Sequence, residues 1–160
     1  MDEQKFSTCQ MKALVLLRVL IGWHFLYEGV AKMMKGGWSA IGFLSQSKWI
    51  LAPVFKWIAA NPTVLNIVNL MNMYGLILIG LGLIMGCFTR VASYAGLLLI
   101  LLYYFCNPPF VGLFYSIPME GSYMIVNKNL VEAAALLVIA VTGSGKYWGL
   151  DRLISKWLKK

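Results

Sequence analysis

Long apolar runs alternate with short polar breaks along this chain. A helix needs about 20 mostly apolar residues to cross the hydrocarbon of a bilayer, where no water satisfies an open backbone. Four segments approach that length: residues 11–34, 64–85, 88–105, and a run at 130–141 interrupted by Glu132. The fourth reaches a full span only by taking in Asn129, Lys128 and the residues just before them, so its polar start is expected to be shielded by protein. The third is stopped by Asn107-Pro108-Pro109, because proline lacks an amide donor and cannot continue a helix. The pattern predicts an all-α fold, a four-transmembrane-helix bundle forming a single domain over residues 1–160.

Shorter patterns fill the connections. Residues 48–60 mix Trp49 and Trp57 with Lys48 and Lys56, a composition suited to a segment lying in the membrane interface, and Pro53 argues against one continuous helix there. At the C-terminus, Leu150, Leu153, Ile154, Trp157 and Leu158 follow helical spacing, while Asp151, Arg152, Lys156, Lys159 and Lys160 take the opposite face. This predicts an amphipathic helix on a membrane surface. The connection 107–127 carries Phe110, Val111, Leu113, Phe114, Tyr115, Ile117, Met119 and Tyr123. It is expected either to anchor in the interface or to fold back as a roof, with Glu120 near the mouth of a pocket. Gly82-x-x-x-Gly86, with Gly75 before it, predicts close helix contact.

Composition sharpens this reading. The 160 residues are 60% hydrophobic and 12% charged, against about 25% charged in a globular domain. A soluble enzyme, a disordered tail and a disulfide scaffold are thereby disfavoured. The net charge of +8 comes from basic residues scattered through an apolar chain, with no stripe to track phosphates, so lipid headgroups and not nucleic acid are the expected partner. Cys9, Cys87 and Cys106 form no C-x-x-C pair and no metal spacing, and no metal site is expected. Arg18 breaks the first apolar run and no small-residue cleavage site follows, so that run is read as a retained helix. Four spans place both termini on one side. Lys5, Lys12, Arg90, Lys146, Arg152, Lys156, Lys159 and Lys160 fall there, against Lys32, Lys35, Lys48, Lys56 and Lys128 opposite, which predicts cytoplasmic termini.

The informative charges lie inside the spans, where they are costly. The first helix carries Arg18, Glu28 and Lys32 within one arc, with His24 at its margin, and Glu28 and Lys32 are spaced to pair along the helix. Asn66, Asn69 and Asn72 make a slowly turning stripe on the second helix; Asn129 and Glu132 share a face of the fourth. The topology brings Glu28, Lys32, the three Asn, Asn107, Lys128, Asn129 and Glu132 to the outer half of one bundle, where a polar pocket is expected. Glu28, Glu132, Lys32 and His24 are the candidate catalytic residues, and Asn69, Asn72, Lys128 and Asn129 the candidate ligand-binding ones. Amides and paired charges also serve as glue between helices, and a single His on an apolar helix also serves in packing. For Arg18, Asp151 is the available counter-charge and a structural ion pair is expected.

Several strings resemble those of the DoxX/DoxD family of small four-helix membrane proteins. Arg18-x-x-x-Gly22-x-x-Phe25-x-x-x-Gly29-x-x-Lys32 is similar to the family's first-helix pattern, and Gly86-Cys87-Phe88-Thr89-Arg90 to the ending of its second helix. Asn127-Lys128-Asn129-Leu130-Val131-Glu132 and Gly149-Leu150-Asp151-Arg152-Leu153 resemble strings of the DoxD-like branch. The resemblance implies a protein of the bacterial or archaeal cytoplasmic membrane. It also implies a thiosulfate:quinone oxidoreductase activity, in which a DoxD-like subunit works with a second, DoxA-like subunit and quinone is the electron acceptor. Many DoxX members carry a Glu near the start of the second helix, where this chain has Asn69 and Asn72. A proton relay would therefore rest on Glu28 and Glu132. No motif for flavin, haem, iron or a nucleotide is present. The alternative expectation is a non-enzymatic scaffold or assembly factor, acting on a partner complex or as a homo-oligomer.

Overall fold

The computed structural model describes residues 6–116 and 124–157. The expectations for Lys5, Ile117, Met119, Glu120, Tyr123, Leu158, Lys159 and Lys160 lie outside the described residues. Within them the chain is helical, with no strand: α1 (Thr8–Met34), α2 (Ile41–Ser45), α3 (Ala52–Ala60), α4 (Pro62–Met85), α5 (Thr89–Cys106), α6 (Lys128–Thr142) and α7 (Leu150–Trp157), with a 3-10 turn at Ser144–Lys146 before α7. Three of these, α1, α4 and α5, are long and apolar enough to cross a membrane. α6 has 15 residues and a length of about 22 Å, short of the ~30 Å hydrocarbon core. The fourth span expected from the pattern is thus not completed by α6 alone.

Local chemistry sets the helix ends. Ser7 and Gln10 close a capping box at the start of α1. Asn61 caps α4 ahead of Pro62, and Asn127 caps α6 by accepting from the Leu130 amide at 3.2 Å. α4 and α6 end on Gly86 and Gly143, both left-handed. Pro53 falls in the first turn of α3, where its missing amide costs nothing. It sets the start of a helix that the sequence pattern had it interrupting.

α1 packs along α4, and α6 along α5, with Ile21, Phe25, Leu76, Ile79, Leu83, Ile100, Leu136 and Ile139 forming the central core. The close approach lies between Gly22 and Gly29 of α1 and Gly80 of α4. A Cβ on Gly80 would stand 2.5 Å from the Leu26 amide nitrogen, and one on Gly29 would stand 2.7 Å from Ile77 Cγ1. Gly82 and Gly86 are closely approached as well, from other directions. A Cβ on Gly82 would lie 3.3 Å from Ala92 Cβ of α5, and one on Gly86, which ends the helix, 2.8 Å from Gly149 Cα and 2.9 Å from Arg18 Nη1 of α1, whereas Gly75 meets nothing within 4 Å.

Asp151 holds the turn between α4 and α5. Phe88, the residue before α5, is left-handed at φ 48° and supplies no cap of its own. Asp151 accepts the Phe88 amide at 2.6 Å and the Thr89 amide at 2.9 Å, while its own amide donates to the Gly86 carbonyl. Gly145 and Gly149 permit this clasp, since a Cβ on either would collide with Thr89, Asp151 or Gly86. The expected Arg18–Asp151 ion pair is not formed: the carboxylate is committed to amides, and Arg18 Nη2 donates to the Trp148 carbonyl at 2.7 Å. Asp151→Ala is expected to cost about 2 kcal/mol of stability by orphaning two amides, with Asp151→Asn milder. Thermal unfolding in detergent measures this, and equal midpoints for the two variants would contradict the cap.

Candidate functional site

α1 lays its polar residues toward α4, α5 and α6 in the half of the bundle away from the termini. His24 lies about 24 Å along α1 from its start, deep in the span. Its Nε2 stands 3.9 Å from Glu132 Oε2 on α6. One turn further, Glu28 Oε2 stands 3.7 Å from Lys32 Nζ. Both separations are longer than a direct hydrogen bond and within ion-pair distance. His24 of α1 and Glu132 of α6 face each other, with Glu28 one turn further along α1, so the α1 and α6 groups form one ionisable cluster.

Lys32 is the hub. Its ammonium donates to Asn72 Oδ1 at 3.3 Å and lies 5.1 Å over the Trp38 ring and 5.5 Å over the Tyr103 ring. Asn72 Nδ2 in turn donates to the Tyr103 hydroxyl at 2.5 Å. Lys32 is withdrawn, with a side chain 18% exposed, and Glu132 is 14% exposed; Glu28 and His24 are 44% and 50% exposed. Two members of the cluster are thus withdrawn from the outer surface of the helices and two open onto it. That surface is otherwise apolar, with Leu20, Trp23 and Tyr27 exposed on the same helix.

The Asn stripe divides in three. Asn66 is exposed. Asn69 holds the chain after α1, accepting the Ala40 amide at 2.9 Å and donating to Ser39 Oγ at 3.3 Å. Asn72 alone of the three joins the charged cluster. The Asn129 side chain, in the first turn of α6, makes no hydrogen bond or ion pair among the described residues, and Asn107 Nδ2 donates to the Phe43 carbonyl at 3.0 Å. The start of the connection after α5, residues 107–116, folds back onto the segment between α2 and α3 and does not roof the charged cluster, while Glu120 lies outside the described residues. Phe110 packs edge-on to Trp49, itself stacked on Phe105, while Lys48 Nζ donates to the Phe114 carbonyl. It covers the α2–α3 corner.

Tyr103 and Trp38 were not among the expected site residues. The available signal was chemical: a tyrosine near the end of an apolar span needs a partner for its hydroxyl, and Asn72 on the facing helix supplies it.

Fold and site together define a small helical membrane protein carrying an ionisable cluster within its spans. The DoxX family pattern matches residues 13–106, more than half the chain, and the chain belongs to the DoxX family. No curated protein and no solved structure matches it. The matched region includes α1, α4 and α5 and therefore Glu28, Lys32, Asn72 and Tyr103; Glu132 and Asp151 lie beyond it.

Proposed function

We propose that this chain is the DoxD-like membrane subunit of a quinone-linked oxidoreductase, with the α1–α6 cluster as the site of the quinone head group. The observation that carries this reading is the lateral opening of the cluster. Half-exposed His24 and Glu28 lie within a membrane span, with Glu132 and Lys32 behind them. A site that opens sideways into lipid suits a lipid-soluble substrate. In a non-reacting bundle, the same exposure would leave two ionisable groups facing hydrocarbon at a cost of several kcal/mol.

Reduction of a quinone to its quinol takes two electrons and two protons. The electrons arrive from a sulfur donor such as thiosulfate through a second subunit, and this chain manages the protons. Lys32 and the Tyr103 hydroxyl present donors to a head-group oxygen, both held by Asn72. Glu132 and Glu28 deliver the protons, with the His24 ring 3.9 Å from Glu132 as the exchange partner toward the opening. In this reading α6 and the residues just before it complete a fourth crossing, and the terminal end faces the cytoplasm by its excess of basic residues.

A second reading rests on the same exposed face. Trp23, His24, Tyr27 and Glu28 are then covered by a partner subunit or a second copy, and the chain acts as a scaffold. The two readings separate in membrane vesicles from cells producing the chain with its partners. Quinone reduction proposes a quinone-dependent absorbance change on adding thiosulfate, and quinone extractable from the protein purified in mild detergent. A defined co-purifying partner with neither quinone nor turnover supports the scaffold and overturns the redox assignment.

A further inference from the structure

The terminal end of the bundle carries a second feature, independent of the quinone site. Phe6, Thr8 and Met11 at the start of α1 and Lys146, Tyr147, Trp148 and Arg152 around the start of α7 line a groove of about 510 Å³. We propose that this groove binds the phosphate of an anionic phospholipid in the leaflet on the terminal side.

Three observations support the assignment. First, the lining is basic and free of competing carboxylates: neither Lys146 nor Arg152 makes an ion pair among the described residues. The nearest acid in sequence, Asp151, has both oxygens committed to the Phe88 and Thr89 amides. Second, a further cation stands behind the lining. Arg18 is 2% exposed and donates to the carbonyl of Trp148, while its Nε and Nη1 have no hydrogen-bond partner among the described residues. Its counter-charge is Asp151, with which it forms no direct ion pair, and the guanidinium adds positive charge behind the groove. Third, the surroundings are those of a membrane interface. Tyr147 and Trp148 are about half exposed, Phe6 meets the Tyr147 ring edge-on at 6.5 Å, and the apolar residues Leu150, Leu153 and Trp157 of α7 are uncovered by protein. A phosphate between Lys146 and Arg152 would leave its acyl chains beside the apolar surface of α1, where Leu16 and Leu20 are exposed. Basic pockets at helix ends select anionic headgroups by this chemistry.

Native mass spectrometry of the full chain in detergent, with phosphatidylglycerol or phosphatidylcholine added, tests the proposal. Wild type is expected to retain phosphatidylglycerol over phosphatidylcholine, and the double variant Lys146→Gln/Arg152→Gln to lose that retention by at least about tenfold. The variant Lys35→Gln/Lys56→Gln removes the same charge from the opposite end and is expected to leave retention unchanged. Equal retention by both double variants overturns the site. Equal retention of the two lipids by wild type overturns the headgroup assignment. Inorganic phosphate at millimolar concentration is expected not to displace the lipid; full displacement would make the groove a free-phosphate site and overturn the lipid assignment.

Discussion

Gly80→Val is expected to destabilise the bundle by about 3 kcal/mol, near the upper part of the usual range for overpacking. The reason is the backbone nature of the obstacle. A Cβ at Gly80 meets the Leu26 amide nitrogen at 2.5 Å, the Gly22 carbonyl oxygen at 2.7 Å and the Leu26 Cα at 2.8 Å. No rotamer change relieves such contacts, so α1 and α4 must separate and forfeit the packing of Ile21, Phe25, Leu76, Ile79 and Leu83. Gly75→Val on the same helix is the control, because a Cβ there meets nothing within 4 Å, and it is expected to stay within about 0.5 kcal/mol of wild type. Thermal unfolding of the two variants in the same detergent decides; equal midpoints would refute the α1–α4 seam.

Glu132→Gln is expected to lower quinone turnover by about 100-fold or more, within the range that a positioned proton donor contributes. The amide keeps the size of the side chain and its hydrogen-bonding capacity and removes only its proton exchange. Glu28→Gln is expected to act in the same direction but less strongly, since its side chain is 44% exposed against 14% for Glu132. Unchanged quinone retention in the purified Glu132→Gln protein separates a proton-transfer defect from a lost site. Intact turnover in both variants would remove the carboxylates from the reaction.

Much of this architecture is legible in the sequence because lipid imposes a simple rule on helix length. α1, α4 and α5 follow from their apolar runs alone, and Glu28 and Lys32 from their spacing along one helix. Glu132 is expected beside Glu28 and Lys32 once the helices are given a topology, but its pairing with His24 is not. What is not legible depends on which residues face which across the bundle. Gly82-x-x-x-Gly86 has the form of a contact motif and both glycines are closely approached, yet the tightest backbone contact between α1 and α4 falls to Gly80, because face assignment depends on the partner helix. The cap that Asp151 supplies to α5 joins residues 62 and 63 apart and leaves no local pattern. α2, five residues long, is too short to show a period. Tyr103 enters the site through a hydrogen bond between two helices, which neither helix announces by itself.

Photolabelling reads directly whether a quinone head group occupies the α1–α6 cluster. A quinone bearing a photoreactive group on its ring, irradiated with the chain in lipid nanodiscs, is expected to label residues 23–32 and 128–135, with competition by unlabelled quinone. Labelling confined to other parts of the bundle, or labelling that excess quinone does not suppress, would contradict the account.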